Sequence, residues 1–162
     1  QVADITSKVK KAAGNKKLIV KLTPTVTNIS ETAAAAVESG ADGLSLVNTF
    51  TAMVIDIETR KPVLANRTGG LSGPAIKPIA VYLVNKVYNE VTKNTNVPIL
   101  GLGGIRNASD AIEFMIAGAT AVSIGTASFF EPGSCERIVE GIEKFCERKN
   151  ILAVREITGS LL

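Results

Sequence analysis

The sequence contains no histidine. Histidine is the usual general acid or base and the usual partner of a nucleophilic serine. Its absence therefore excludes histidine-based acid–base catalysis, Ser-His triads and most catalytic zinc sites. Any chemistry must come from lysine, asparagine, threonine, cysteine or a cofactor, and we expect no metal site.

Cysteine is almost as scarce. Cys135 and Cys146 are the only two; they lie in one predicted helix, lack the spacing of a metal site and are too few for a disulfide framework. We therefore expect a reducing compartment. No signal-peptide pattern opens the chain and no apolar stretch approaches the roughly 18 residues of a membrane span, so we expect a cytoplasmic protein with no membrane contact.

Clusters of positive charge are also missing. The net charge is +3 and no basic run exceeds two residues, whereas nucleic-acid binding needs clustered lysine and arginine. We therefore exclude nucleic acid as a partner. The chain has 162 residues, 46% of them hydrophobic, which is enough for one core, so we expect a single domain over residues 1–162.

Short apolar runs bounded by turn residues alternate with helical patterns, which predicts buried parallel strands, each followed by a helix. The predicted strands are residues 18–23, 43–49, 98–102 and 121–127. The predicted helices are residues 2–13, the segment between Asn28 and Gly40, and residues 75–91, 109–117, 134–147 and 152–162. Residues 53–65 predict a small hairpin outside the main sheet.

An internal repeat supports this organisation. Gly40-Ala41 with Ser45 recurs as Gly118-Ala119 with Ser123, which suggests two copies of a βαβα unit. Four βα units amount to half of an eight-stranded barrel, and such a half leaves two sheet edges that must be paired.

Small residues end the last two predicted strands, Gly103-Gly104 after the third and Gly125-Thr126 in the fourth. Glycine lets a backbone approach an anion closely, and free N–H groups at the start of a following helix attract it. The pair predicts a phosphate site, although glycines that serve only turns and packing remain an alternative. The glycine-rich loop 69–73 is a weaker candidate for an anion contact.

Lys21 is unusual because it lies within an apolar strand. A buried lysine is costly unless an anion compensates it, so we favour a role in a site over that of a surface residue whose stem alone is buried.

Several segments, in order, carry a resemblance to a known family. They are Lys21–Pro24 (KLTP), Leu46–Thr49 (LVNT), Ile55–Asn66 (IDIETRKPVLAN), Gly69–Pro78 (GGLSGPAIKP), Gly101–Ile105 (GLGGI) and Ile124–Ala127 (IGTA). Together they resemble the C-terminal half of a dihydroorotate dehydrogenase, closest to type 1B, over nearly the whole chain. The fold that this implies is α/β, the C-terminal half of a TIM (β/α)8 barrel, with four parallel βα units and a small hairpin insertion.

The resemblance implies an FMN-dependent enzyme that oxidises dihydroorotate to orotate in pyrimidine biosynthesis. It implies flavin contacts for Lys21 and for the backbone of Val47 and Gly73, and orotate contacts for Asn48 and Thr49. It also implies that Gly103, Gly104, Gly125 and Thr126, the four residues of the predicted phosphate site, bind the phosphate of FMN.

No catalytic residue is expected in this chain, because the base of type 1 enzymes is a cysteine on a loop of the N-terminal half. Cys135 and Cys146 do not match it. The chain opens at Gln1 inside a predicted helix, so we expect that a beginning has been removed and that activity requires the missing half.

The partners implied by the resemblance are the N-terminal half of the barrel, a second copy in a homodimer and an iron–sulfur flavoprotein subunit that links to NAD. The electron acceptor itself is left open. Two other interpretations also stay open, a phosphate-binding half barrel from another βα-barrel enzyme and a fragment that binds ligand without turnover.

Overall fold

A parallel four-stranded sheet lies at the centre of the protein, and the computed structural model describes all residues from 1 to 162. The strands are β1 (Ile19–Lys21), β2 (Gly43–Leu46), β3 (Phe50–Ala52), β4 (Ile55–Asp56), β5 (Lys61–Pro62), β6 (Gly69–Leu71), β7 (Ile99–Leu102) and β8 (Ala121–Ser123). The central sheet has the order β1-β2-β7-β8, and all its neighbours are parallel.

Helices connect the successive strands of this sheet, and further helices lie before its first strand and after its last. They are α1 (Val2–Ala13), α2 (Ile29–Glu38), α3 (Lys77–Val87), α4 (Ala108–Ala117), α5 (Ala127–Phe130) and α6 (Ser134–Lys149). Helices α2, α3 and α4 pack on the sheet, while α1 packs on α2 and α6 packs on α4. The architecture is α/β and is consistent with part of a TIM barrel. No helix is long and apolar enough to cross a membrane.

Side chains of β7 alternate between the two faces of the sheet, as a strand requires. Ile99 and Gly101 are buried toward the helices, and a Cβ at Gly101 would lie 2.8 Å from the ring of Phe114. Leu100 and Leu102 are only half-buried on the opposite face. The main core therefore lies between the sheet and the layer formed by α2, α3 and α4.

Asparagine side chains begin two of these helices. The Asn28 side chain accepts a hydrogen bond from the Ser30 N–H and donates one to Glu31, which confirms a helix start there. The Asn107 side chain accepts from the Asp110 N–H at the start of α4. Both caps satisfy N–H groups that a helix otherwise leaves free.

Several predicted boundaries were wrong. The fourth strand ends at Ser123 rather than at residue 127, because α5 already begins at Ala127. The predicted terminal helix 152–162 is only one 3-10 turn, Val154–Ile157. The predicted helix 75–91 is composite, with a 3-10 turn before α3 and a π-helical turn, Tyr88–Thr92, after it.

The segment between β2 and α3 forms two antiparallel ribbons rather than one hairpin. β4 pairs with β5 in the predicted hairpin, and β3 pairs with β6. The glycine-rich segment expected to be a loop thus contributes a strand, Gly69–Leu71. Small residues allow this ribbon to fold back tightly, since a Cβ at Gly70 would collide with the side chain of Thr49.

Both edges of the central sheet carry exposed apolar side chains. Ile19 of β1 is 56% exposed, and Ile5 and Val9 of α1 are also exposed. At the other edge, Phe129 and Phe130 of α5 are 89% and 84% exposed. The sheet therefore ends in apolar surface on both sides.

Asp42 connects α1 to the start of β1 through hydrogen bonds of its carboxylate. Its carboxylate accepts hydrogen bonds from the Lys10 and Lys17 side chains and from the Leu18 N–H just before β1. The Lys10 hydrogen bond, followed by those of Leu18 and Lys17, holds the pKa of Asp42 well below its usual range.

This depressed pKa predicts a pH-dependent contribution to folding. The carboxylate stabilises the folded state above its unfolded pKa of about 4, and that stability is lost as the pH falls toward the lower folded value. We expect Asp42→Asn to lower the melting temperature at neutral pH and to flatten the decline in melting temperature below about pH 4. Asp4→Asn is the control, since Asp4 contacts only Lys8 on the same exposed helix surface. Equal acid sensitivity of wild type and Asp42→Asn would contradict this role.

Candidate functional site

The carboxyl ends of the central strands surround a cavity of about 270 Å³. Backbone hydrogen bonds fix the segment after β2 between its neighbours, since the Val47 N–H donates to the Leu102 carbonyl and the Asn48 N–H donates to the Leu22 carbonyl. The carboxyl ends of parallel strands are where βα folds place their binding sites.

All nine positions predicted from the sequence line this one cavity. They are Lys21, Val47, Asn48, Thr49, Gly73, Gly103, Gly104, Gly125 and Thr126. A second cavity of about 130 Å³ adjoins it and shares Gly73, Gly104, Gly125 and Thr126. The sequence therefore identified positions that the fold brings together from four strand ends and one loop.

Free backbone donors lie in the turns after β7 and β8. The N–H groups of Gly103, Gly104, Gly125 and Thr126 donate no hydrogen bond to any atom of the chain. Gly125 is exposed and the other three residues are partly buried, so water can reach these donors and an acceptor such as a phosphate oxygen can take its place. The donor set fits the predicted phosphate site.

The turn at Gly104 requires glycine for two reasons. Its φ of +80° is unfavourable for residues with a side chain, and a Cβ there would lie 2.6 Å from the carbonyl oxygen of Gly73. Gly125 is different, because no atom lies within 4 Å of the Cβ position there. Gly104 is therefore fixed by packing, whereas Gly125 borders open space.

The helix starts near these turns differ from the sequence expectation. The N–H of Arg106 is taken by the Asp110 carboxylate, and α4 begins only at Ala108, behind the Asn107 cap. Helix α5, after Gly125-Thr126, has four residues and hence little dipole. Donors to a ligand must therefore come from the turns themselves rather than from helix ends.

Lys21 lies at the carboxyl end of β1 and lines the cavity, but it is exposed and forms no ion pair. Because β1 is an edge strand with a neighbour on only one side, Lys21 has a position at the rim of the sheet and is not desolvated. Its ammonium is free to meet an anionic or electron-rich ligand.

Asn48 and Thr49 are exposed at the mouth of the cavity. The Asn48 side-chain oxygen accepts a hydrogen bond from the Thr49 N–H, which leaves the amide NH₂ group free to donate. The Thr49 hydroxyl points toward the Gly70 backbone of the β3–β6 ribbon. Both side chains can offer hydrogen bonds to a small polar ring.

The sequence did not single out five further residues of the lining, Ser72, Ile76, Leu102, Ser123 and Phe129. Ser72 is the most informative, because its hydroxyl lies 2.9 Å from that of Thr126 and so joins the loop before α3 to the end of the sheet. Its place within the glycine-rich loop 69–73 was visible, but its partner, Thr126, is 54 residues away and cannot be read from the sequence.

Both cysteines lie in α6, as predicted, and neither lines the cavity. Cys135 is exposed and Cys146 is half-buried on that helix. Neither is in position to act on a ligand at the strand ends.

The sequence matches the family model described as dihydroorotate dehydrogenase over residues 1–146. The chain belongs to the dihydroorotate dehydrogenase family. It is 54% identical over 147 residues to a protein of Geotalea uraniireducens, covering 91% of this chain and 47% of that protein. It is 53% identical over 161 residues to a protein of Caldicellulosiruptor bescii, covering 99% of this chain and 52% of that protein.

Both relatives bear the name dihydroorotate dehydrogenase B (NAD(+)), catalytic subunit, as does a protein of Alkaliphilus oremlandii that is 53% identical over 160 residues, covering 99% of this chain and 51% of that protein. The chain spans about half the length of the curated relatives it matches.

Proposed function

We propose that this chain is the C-terminal half of a TIM barrel, with four βα units, that oxidises dihydroorotate to orotate in pyrimidine biosynthesis with FMN. The chain supplies the FMN phosphate site and part of the orotate pocket. The observation that carries the proposal is the set of four unpaired N–H groups at the ends of β7 and β8. Family membership supports the reaction assigned to it.

The smaller cavity suits the phosphate and the larger one suits the flavin and substrate rings. Gly103, Gly104, Gly125 and Thr126 would donate their N–H groups to the phosphate, and the backbone of Val47 and Gly73 would border the flavin. FMN, when bound, would accept the hydride, which no amino-acid side chain of the chain can do.

The polar side chains have separate tasks in this proposal. The Lys21 ammonium favours negative charge on the pyrimidine edge of the flavin. Asn48 and Thr49 offer donors and acceptors to the amide edges of orotate. If the base for the substrate proton is a cysteine, it must come from outside this chain, because both cysteines lie on α6 away from the cavity.

Partners complete the enzyme in this proposal. The N-terminal half of the barrel would pair with β1 and β8, the two edges of the sheet, and supply the base. Dihydroorotate and orotate are the small-molecule partners. Electrons would leave through an iron–sulfur flavoprotein subunit; the words NAD(+) and catalytic subunit in the relatives' names support this.

The phosphate site is tested at Gly125. Gly125→Ala adds one methyl group that meets no protein atom, so we expect folding to be unchanged. If that methyl obstructs a bound phosphate, the affinity for FMN should fall by about one to two decades through lost charge-assisted hydrogen bonds. Riboflavin, which lacks the phosphate, should bind as before; fluorescence titration of both flavins measures this.

Two variants calibrate that experiment. Gly104→Val should abolish FMN binding and also destabilise the turn, since its side chain meets the Gly73 carbonyl. Arg106→Ala should have less effect than Gly104→Val, because the Arg106 side chain is exposed to solvent and the variant keeps the backbone N–H that donates to Asp110. If Gly125→Ala and Gly104→Val both bind FMN as tightly as the wild type, the proposed phosphate site is wrong.

Lys21 and Asn48 are expected to act on different species. Lys21→Ala should lower the reduction potential of the bound flavin, because the ammonium favours the reduced, more negative form. Asn48→Ala should weaken orotate binding and leave the potential nearly unchanged. Both are measured in the complete enzyme, by redox titration and by orotate titration. If the reduction potential of the bound flavin is the same in Lys21→Ala as in the wild type, Lys21 is a surface residue with no effect on the flavin.

The unpaired edges predict the behaviour of the chain by itself. We expect it to self-associate in sedimentation experiments, and to form a defined complex with activity only when the N-terminal half is added. Ile19→Lys should weaken self-association, because a lysine on an edge strand opposes pairing. Ile57→Lys is the matched control, since Ile57 is 82% exposed between β4 and β5, off both edges. A monomer that oxidises dihydroorotate unaided would contradict the proposal.

A further inference from the structure

Two turns meet backbone to backbone at the phosphate site. Gly73 precedes a 3-10 turn that runs into α3, and Gly103-Gly104 precedes the segment that leads to α4. A Cβ at Gly104 would lie 2.6 Å from the Gly73 carbonyl oxygen and 3.0 Å from Cβ of Lys77. Small changes in the distance between these turns would move the free N–H groups.

A buried carboxylate connects the two turns behind this contact. One oxygen of Asp110 accepts a 2.8 Å hydrogen bond from the ammonium of Lys77, the first residue of α3. The other accepts a 2.9 Å hydrogen bond from the Arg106 N–H, two residues after Gly104. Neither Lys77 nor Asp110 lines either cavity, so both act through the turns.

The pair is charged at neutral pH. Burial raises the pKa of Asp110, but the hydrogen bonds from Lys77 and from the Arg106 N–H outweigh it and leave the pKa below its ordinary value. Hydrogen bonding to Asp110 first, and to Glu113 second, raises the pKa of Lys77. A buried ion pair contributes little net stability, so its main effect here is on geometry and local charge.

We propose that Lys77 and Asp110 are positioning residues that hold the Gly103-Gly104 turn against the Gly73 turn, and that Lys77 neutralises Asp110 so that the carboxylate does not repel the phosphate. This inference rests on the proposed FMN site. Asp110 also accepts the Arg106 N–H, whereas the N–H groups of Gly103 and Gly104 have no partner in the chain and stay available to a ligand.

The test compares FMN with riboflavin in the complete enzyme, freed of its flavin. In Lys77→Met the carboxylate loses its counter-charge and the turns lose their connection. We expect FMN affinity to fall at least about tenfold, while riboflavin affinity changes less than about threefold. Lys77→Arg, which keeps the charge and a donor, should restore FMN binding. If Lys77→Met is insoluble, Lys77→Gln replaces it. Glutamine keeps a hydrogen-bond donor but has no charge, and we expect the same fall in FMN affinity.

Glu113→Gln is the matched control. Glu113 also pairs with Lys77, but it is exposed and does not contact the turn. It should leave both affinities unchanged. Equal loss of FMN and riboflavin in Lys77→Met would mean general damage, and no loss of either would also overturn the positioning role. Gly125→Ala tests the phosphate site directly. If FMN affinity falls in Gly125→Ala but not in Lys77→Met, this inference is rejected while the proposed function stands.

Discussion

The carbonyl oxygen of Gly73 and the Cα of Gly104 lie so close that no side chain fits between them, and the geometry of the site depends on this contact. It brings a loop from before α3 against the end of β7, although the two glycines are 31 positions apart in the chain. Because the contact is made by bare backbone, the second turn lines the cavity with N–H groups that donate to no atom of the chain. The ion pair behind the contact then determines how firmly the turns are held.

The sheet imposes a second constraint. Parallel strands align their carboxyl ends on one edge, which is why residues as far apart as Lys21 and Thr126 border one cavity. The same sheet has only four strands and ends in exposed apolar surface at β1 and at α5. The site and the unpaired edges thus follow from one architecture.

The sequence predicted the features that depend on local pattern. Apolar periodicity predicted the four strands of the central sheet, α1 and the helix that holds both cysteines. Lys21, Gly103, Gly104, Gly125 and Thr126 were also singled out by their own pattern, whereas Val47, Asn48, Thr49 and Gly73 were implied by the family resemblance. The sequence failed where a distant partner decides the conformation. Gly69–Leu71 becomes a strand only because Phe50–Ala52 lies beside it, and residues 124–126 leave the sheet where β8 has no neighbour on its outer side. Lys21 is exposed for the same reason at β1.

The exposure of Lys21 connects assembly with chemistry. Its ammonium lies on an edge strand and is solvated, and a solvated charge has a weak effect on a neighbouring group because water screens it. Any polypeptide that pairs with β1 would cover Ile19 and remove water from Lys21 at the same time. The interaction between this lysine and a ligand in the cavity would then become stronger without any movement of the lysine. Closing the sheet would therefore do more than bury apolar surface, because it would also set the electrostatic strength of the site.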